Sequence, residues 1–283
     1  MIRTVRTVAE LRAHLSGWRE QGLRIALVPT MGNLHAGHQS LVTLARRNAD
    51  KVVASVFVNP TQFAPDEDFA HYPRTPEADA DGLARAGADL LFLPGVEAMY
   101  PFGADAASRI RVPGLADVLE GVHRPGHFDG VATVVARLFN MVQPDAAIFG
   151  RKDYQQLQVI RHMAKDLAFA IDVVPGPTVR EADGLAMSSR NQYLSPEERA
   201  VAVELFRNLQ TMRERASLGL PLPGIEQEAV ERLGAAGFIV DYAAIRRPDL
   251  SLAEDGGERG LVGLVAARLG RTRLIDNIDF DAG

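Results

Sequence analysis

The sequence predicts an α/β protein: a doubly wound parallel sheet, followed by a smaller α+β domain with an antiparallel sheet. Three observations carry this. Short apolar, β-branched runs alternate with helical patterns over the first two thirds of the 283 residues, as βαβ units do. Past residue 177 the order changes to helices followed by three strand-like runs, the order of a helical layer and a meander. Apolar residues make up 47% of the chain and charged residues 24%, which is ordinary for a globular protein large enough to bury two cores.

Each element has its own reason. "RIALVP" (24–29) is short and apolar, and "HQSLVTLARRNA" follows with Leu41, Leu44, Ala45 and Ala49 at helical spacing. "KVVASVFV" (51–58) is β-branched and stops at Asn59-Pro60. "PEADADGLARAGA" reads as a helix and "DLLFLP" (89–94) as the third strand. Phe128, Val131, Val134, Val135, Leu138, Phe139 and Val142 form one helical stripe. "DAAIFG" (145–150) is a fourth strand, "YQQLQVIRHMAKDL" a helix, and "AIDVVP" (170–175) a fifth strand. Beyond a boundary placed at 175–178, "PEERAVAVELFRNLQTMRERA" reads as one long amphipathic helix, with Ser195 at the N-cap and Pro196 in the first turn. "LGLPLPG" breaks it before a shorter helix. "FIVDYAAI", "LVGLVAAR" and "TRLIDNI" then read as strands.

Composition narrows the function. There is no cysteine, so disulfides and thiolate metal sites are excluded, which fits a reducing cytoplasm. The N-terminal stretch mixes charge with apolar residues, unlike a signal peptide, and no apolar run approaches the ~20 residues of a membrane helix. The net charge is −5 without a basic block, which disfavours a nucleic-acid partner.

The chemistry concentrates at strand ends, where ligands bind in open α/β sheets. "PTMGNLHAGHQ" (29–39) links the first strand to its helix. Gly32 and Gly37 permit tight turning and close backbone approach. His35 and His38 add N–H donors at a helix N-terminus, which favours an anion. Gln62, in the polar, Pro-rich "FVNPTQFAPDEDFAHYPRT", has an amide suited to a hydroxyl or carboxylate ligand. The nearby Asp66, Glu67 and Asp68 read as a solvated acidic run rather than a paired-carboxylate site. Lys152 in "FGRKDYQQLQ" is a cation placed to balance phosphate charge; Asp153 caps the next helix and Gln156 lies in its first turn. Ser188, Ser189 and Arg190 offer hydroxyls and a guanidinium to phosphate oxygens, or cap a helix. The two histidines of "HRPGHFDG" read as loop residues rather than as a metal site. There is no P-loop, G-x-G-x-x-G, G-x-S-x-G or H-E-x-x-H pattern. On these grounds the opening turn binds a phosphate, without saying whose.

"PTMGNLHAGH" resembles the HIGH-type signature of the nucleotidylyltransferase superfamily, and "MSSR" (187–190) resembles its second, KMSKS-type loop. With "FVNPTQF", "YPRT", "RPGHFDGVATVV", "KDYQQL", "PTVREADGLAMSSRN" and "RLIDNI" in order along the chain, the sequence is similar to one family, the pantothenate synthetases (pantoate–β-alanine ligases). The resemblance implies a Rossmann-like ATP- and pantoate-binding domain over 1–177 and a smaller α+β domain over 178–283 that closes over the active site. It implies a cytoplasmic homodimer that uses ATP with Mg2+ and joins pantoate to β-alanine through a pantoyl adenylate, releasing AMP and pyrophosphate. By position, Met31, Gly32, Asn33, Leu34, His35, Ala36, Gly37 and His38 would line the ATP site, with His38 as the proton donor. Gly150, Arg151, Lys152, Asp153, Val179, Met187, Ser188, Ser189 and Arg190 would also bind ATP. Gln62 and Gln156 would hold pantoate, with Arg124 and His127 near the β-alanine end. His35, His38, Lys152 and Arg190 would carry the catalysis.

The residues agree with such chemistry. An adenylate supplies the leaving group a carboxylate lacks, so no side-chain nucleophile is needed, and catalysis rests on positioning and charge stabilisation. Excluding water from the adenylate suggests a lid, for which the loop before "YPRT" is the candidate. One position departs from the family, which usually reads G-E-K-D where this chain has Arg151. If that glutamate helps hold the lysine, ATP affinity differs here; if the side chain points away, as alternation at a strand end implies, nothing changes. Two other readings compete: a transferase that leaves the nucleotide on its product, and a nucleotide sensor without chemistry. Release of AMP separates the first from a ligase, and the intact His35, His38, Lys152 and Arg190 count against the second.

Overall fold

A computed structural model of the chain describes residues 2–64, 68–254 and 258–280. The chain forms two compact units: Met1–Gly150 with Gln156–Pro177, and Arg151–Gln155 with Thr178–Gly283. Asp66 and Glu67 of the acidic run lie outside the described residues.

The first unit runs β1 (Arg3–Val5), α1 (Val8–Glu20), β2 (Ile25–Thr30), α2 (Ala36–Asn48), β3 (Lys51–Val56), α3 (Pro76–Ala86), β4 (Leu90–Phe92), the single turns α4 (Val96–Met99) and α5 (Glu120–His123), α6 (His127–Val142), β5 (Ala146–Gly150), α7 (Tyr154–Asp166) and β6 (Asp172–Gly176). All six strands are parallel, in the order β1-β4-β3-β2-β5-β6. Succession runs outward from β2 to β4 on one side and from β5 to β6 on the other, so the switch point lies between β2 and β5. This is the doubly wound, Rossmann-like sheet expected, with one strand more than the sequence pattern revealed. Three residues at Arg3–Val5 are too few to show a period, yet they pair with β4 and close that edge. The helix after them starts at a capping box: Thr7 accepts from the Glu10 amide, and Glu10 accepts from the Thr7 amide.

Side chains alternate across the central strands. Ile25 and Leu27 of β2 face one layer, with Leu11 and Leu15 of α1, Phe139 of α6 and Leu157 of α7. Ala26 and Val28 face the other, with Leu41 and Val42 of α2 and Leu83 of α3. Burial on both faces explains why these strands read as continuous apolar runs. It also aims the carboxyl ends of neighbouring β3, β2 and β5 at one edge.

The second unit has α8 (Pro196–Ala202), α9 (Glu204–Ser217), α10 (Leu222–Ala235) and the strands β7 (Ile239–Arg246), β8 (Val262–Leu269) and β9 (Thr272–Asp279) in an antiparallel meander. Leu205, Leu209 and Met212 of α9, Ile225 and Leu233 of α10, and Val265 and Ala267 of β8 form its core. Ser195 caps α8 with Glu198 in a capping box and Pro196 in the first turn, as the sequence predicts. The long helix expected over 196–216 is a correction, because it divides at Val203. That carbonyl accepts from both Phe206 (3.0 Å) and Arg207 (3.2 Å), a tightened turn that interrupts the α-helical ladder. Among the described residues no helix is long and apolar enough to cross a membrane.

Candidate active site

The turn after β2 is held from within and from outside. Gly32 sits at φ +88°, and a Cβ there would lie 2.9 Å from Asp79 Oδ2 and 3.1 Å from Val56 Cγ1, so only glycine fits. Asp79, buried on α3, accepts from the backbone N–H of Asn33 (3.1 Å) and of Leu34 (2.9 Å). Leu34 leads into His35, the N-cap of α2. His35 Nδ1 accepts from the Gly37 N–H at 3.1 Å, and the His35 N–H donates to His38 Nδ1 at 3.3 Å. The two imidazoles thus form a capping box, the task usually given to Ser or Thr with Glu. Their centroids are 4.1 Å apart. Because each Nδ1 is an acceptor, the neutral rings carry their protons on Nε2, and this fixes both as Nε2–H donors.

After β3 the chain enters a single helical turn, Pro60–Gln62, capped by Asn59. Gln62 is buried. Its Oε1 accepts from Asn59 Nδ2 (3.0 Å), and its Nε2 lies 3.0 Å from Met31 Sδ. Sequence reasoning assigned Asn59 no role, yet it is the hub of this region. Its Oδ1 accepts from the Tyr100 hydroxyl (2.7 Å) and from Thr61 Oγ1 (3.0 Å), and its Nδ2 also donates to the Gly130 carbonyl (3.1 Å). Burial pushes the Tyr100 hydroxyl pKa up, which keeps it a donor. Gly130 lets α6 approach closely, since a Cβ there would sit 2.3 Å from the Thr61 carbonyl oxygen. The only signal for Asn59 in the sequence was its place between a strand and a proline.

Arg124 and His127 converge on the same turn. His127 Nδ1 donates to the Gln62 carbonyl at 2.8 Å, and Arg124 Nη2 reaches that carbonyl at 3.5 Å. Arg124 Nη1 lies 3.0 Å from His127 Nε2, which must then accept. Glu120 pairs with Arg124 at 3.6 Å. The expected loop around these residues is shorter than "HRPGHFDG", because His123 ends α5 and His127 begins α6. Beside them is a cavity of about 300 Å³ whose lining includes Thr61, Gln62, Arg109, Arg124, His127 and Asp129. Burial raises the pKa of Asp129. Gly150 ends β5, and Gln156 lies half-buried in the first turn of α7.

In the second unit, Arg151 pairs with Asp279 of β9. Lys152 Nζ is 4.0 Å from the half-exposed Asp153 carboxylate. Val179 and Met187 face each other across a tight hairpin, with the Met187 N–H on the Val179 carbonyl at 3.0 Å and a bridge between Arg180 and Ala186. Ser188 caps the short helix Ser189–Tyr193 by accepting from the Arg190 N–H at 3.2 Å. The structure therefore groups Met31 with Gln62, Arg124 and His127; His35 with His38; and Val179 with Met187.

A doubly wound parallel sheet, with imidazoles capping the helix beyond β2, defines a Rossmann-like α/β protein whose carboxyl edge presents N–H donors. The particular family follows from comparison: the chain belongs to the pantoate–β-alanine ligases, whose family model matches residues 3–279. It is an enzyme of that family. Pantothenate synthetase from Xanthomonas campestris pv. campestris is 60% identical over 99% of this chain and the whole of the relative. The crystal structure of pantothenate synthetase from Thermus thermophilus superposes with a TM-score of 0.92 at 54% identity, covering 99% of each chain. Pantoate–β-alanine ligase from Francisella tularensis, crystallised as a complex with "Beta-gamma ATP" and β-alanine, has a TM-score of 0.83 at 31% identity, covering 100% of this chain and 99% of that one.

Proposed function

We propose that the protein condenses pantoate with β-alanine, driven by ATP, through a pantoyl adenylate. A pantoate carboxylate oxygen attacks the α-phosphorus and pyrophosphate leaves. The amine of β-alanine then attacks the acyl carbon, loses a proton, and AMP leaves. The observation that carries this reading is the imidazole capping box: two Nε2–H donors held in one tautomer at a helix N-terminus, beside the switch point of the sheet. Such preorganised donors stabilise charge that develops on a phosphate.

ATP is assigned to residues 31–38, 150–153, Val179 and 187–190. His38 and His35 donate hydrogen bonds from Nε2, with Lys152 and Arg190 balancing phosphate charge. Gln62, whose amide Oε1 is oriented by Asn59, holds pantoate together with Gln156. Arg124 and His127 hold the β-alanine end, and their contacts with the Gln62 carbonyl couple that end to the pantoate residue. Magnesium enters with ATP. Among the described residues no three His, Asp or Glu side chains gather as a metal site. Bound with the nucleotide, that ion would neutralise phosphate charge. The working form is a cytoplasmic homodimer.

Product analysis tests the reading. With ATP, pantoate and β-alanine, AMP and pantothenate appear in equal amounts; without β-alanine, pyrophosphate release stops near one equivalent per site. A product that keeps the nucleotide, or no AMP when β-alanine is present, overturns it.

A further inference from the structure

The closing "RLIDNI" segment forms part of β9, and the mechanism above gives it no task. Its Asn277 is buried and donates from one side-chain amide to two backbone carbonyls, Arg151 (3.0 Å) and Lys152 (2.8 Å). Both protons of the amide are thus engaged by the segment that carries Lys152. The neighbouring Asp276 is also buried and takes Arg180 in a two-point ion pair at 2.6 and 3.0 Å. Arg180 also donates to the Asn277 carbonyl (3.2 Å) and to the Gly184 carbonyl (3.1 Å), and its guanidinium carbon stacks 4.0 Å from the Phe206 ring centroid. Arg180 is one flank of the Val179–Met187 hairpin, whose Ala186 carbonyl accepts from Asn191 Nδ2 at 3.1 Å. Two adjacent residues of one strand therefore fasten two different segments.

We propose that Asn277 is a positioning residue for Lys152, and that Asp276, through Arg180, does the same for the hairpin leading to Ser188 and Arg190. This rests on the assignment of those segments to ATP. A planar amide bonded to consecutive carbonyls fixes the orientation of both peptide groups, and so the direction in which the Lys152 stem leaves the backbone. Lysine is a point charge on a flexible stem, so its root decides where the charge can be held. Asparagine suits this place because it offers two donors on one planar group. Aspartate, with the same shape, offers none and would set a carboxylate against two carbonyl oxygens.

The test uses the full chain with Asn277→Ala and Asn277→Asp, each read per folded molecule from its melting curve at the assay temperature. Initial rates are measured against ATP and, separately, against β-alanine. We expect kcat/KM for ATP to fall at least tenfold for Asn277→Ala and further for Asn277→Asp, with KM for β-alanine within twofold of the parent. ATP parameters within twofold of the parent in either variant overturn the proposal, as does an equal loss toward ATP and β-alanine. A parent that forms no AMP refutes the functional reading itself, a result distinct from either variant outcome.

Discussion

The two segments assigned to phosphate differ in how they are wired. The turn after β2 largely holds itself, because His35, Gly37 and His38 satisfy one another within four residues, with Asp79 as an outside clamp. The segment at Arg151 and Lys152 is fastened by Asn277, 125 residues from Lys152. The first arrangement places donors by local geometry and needs the correct residues only in one short stretch. The second needs a completed meander before its lysine has a fixed root. Of the two segments proposed for phosphate, one is thus placed by a motif and the other by tertiary structure.

The largest expected effect breaks the first arrangement from outside. Asp79→Ala leaves the Asn33 and Leu34 amides without their carboxylate, and bonds to a charged acceptor are worth more than neutral ones. We expect a loss on the order of 3 kcal/mol in urea unfolding, with a fall in kcat/KM for ATP. A loss under about 1 kcal/mol would mean that the imidazole box holds the turn unaided. Next comes the box itself. His38→Ala removes the proposed Nε2–H donor and one half of the cap, and the adenylation rate should drop roughly 10²-fold, about 2.7 kcal/mol of transition-state stabilisation. Unchanged pyrophosphate release in single-turnover experiments would remove His38 from the mechanism.

This contrast also explains what was legible in the sequence. H-x-G-H after an apolar run announced both strand end and helix start, and His38 stands in the first turn of α2 as expected, with His35 as its N-cap. Ser195 and Pro196 announced α8 in the same local way. The strand Arg3–Val5 was not legible, because a three-residue edge strand is defined by its partner rather than by a period. Asp79 and Asn277 were not legible because their partners are remote backbone atoms, and the hub role of Asn59 was not legible because Tyr100 and Gly130 are remote from it; such contacts leave no pattern in sequence. Arg151 shows the boundary between the two kinds. Strand alternation was the guide to its direction, yet β5 ends at Gly150 and Arg151 lies in a turn, where it pairs with Asp279.

A smaller effect is expected from a local device in the second unit. Ser188→Ala removes the cap on the Arg190 N–H, a change typically worth about 1 kcal/mol. Because Asn191, Arg180 and Asp276 still hold the hairpin, we expect KM for ATP to change less than in Asn277→Ala. Equal losses in the two variants would show that the local cap and the distant clamp count alike.

The smallest effect is read in pH rather than in magnitude. The α1 box depends on a charged Glu10, whose carboxylate accepts from the Arg6 and Thr7 amides at 3.0 Å each. Those backbone bonds hold its pKa below the usual glutamate range. A carboxyl whose folded pKa is depressed adds stability above its unfolded pKa and loses it as pH falls through the folded value. Glu10→Gln keeps an acceptor but removes the charge, so the parent should be the more stable at neutral pH, with the difference closing under acid. The imidazole box of α2 demands the opposite of charge, since protonating either Nδ1 destroys an acceptor. Acid therefore removes the charge on which the first box depends. Urea unfolding of parent and Glu10→Gln across the acid range isolates the first contribution, and a difference that stays constant with pH would show that the Glu10 charge plays no part in the cap.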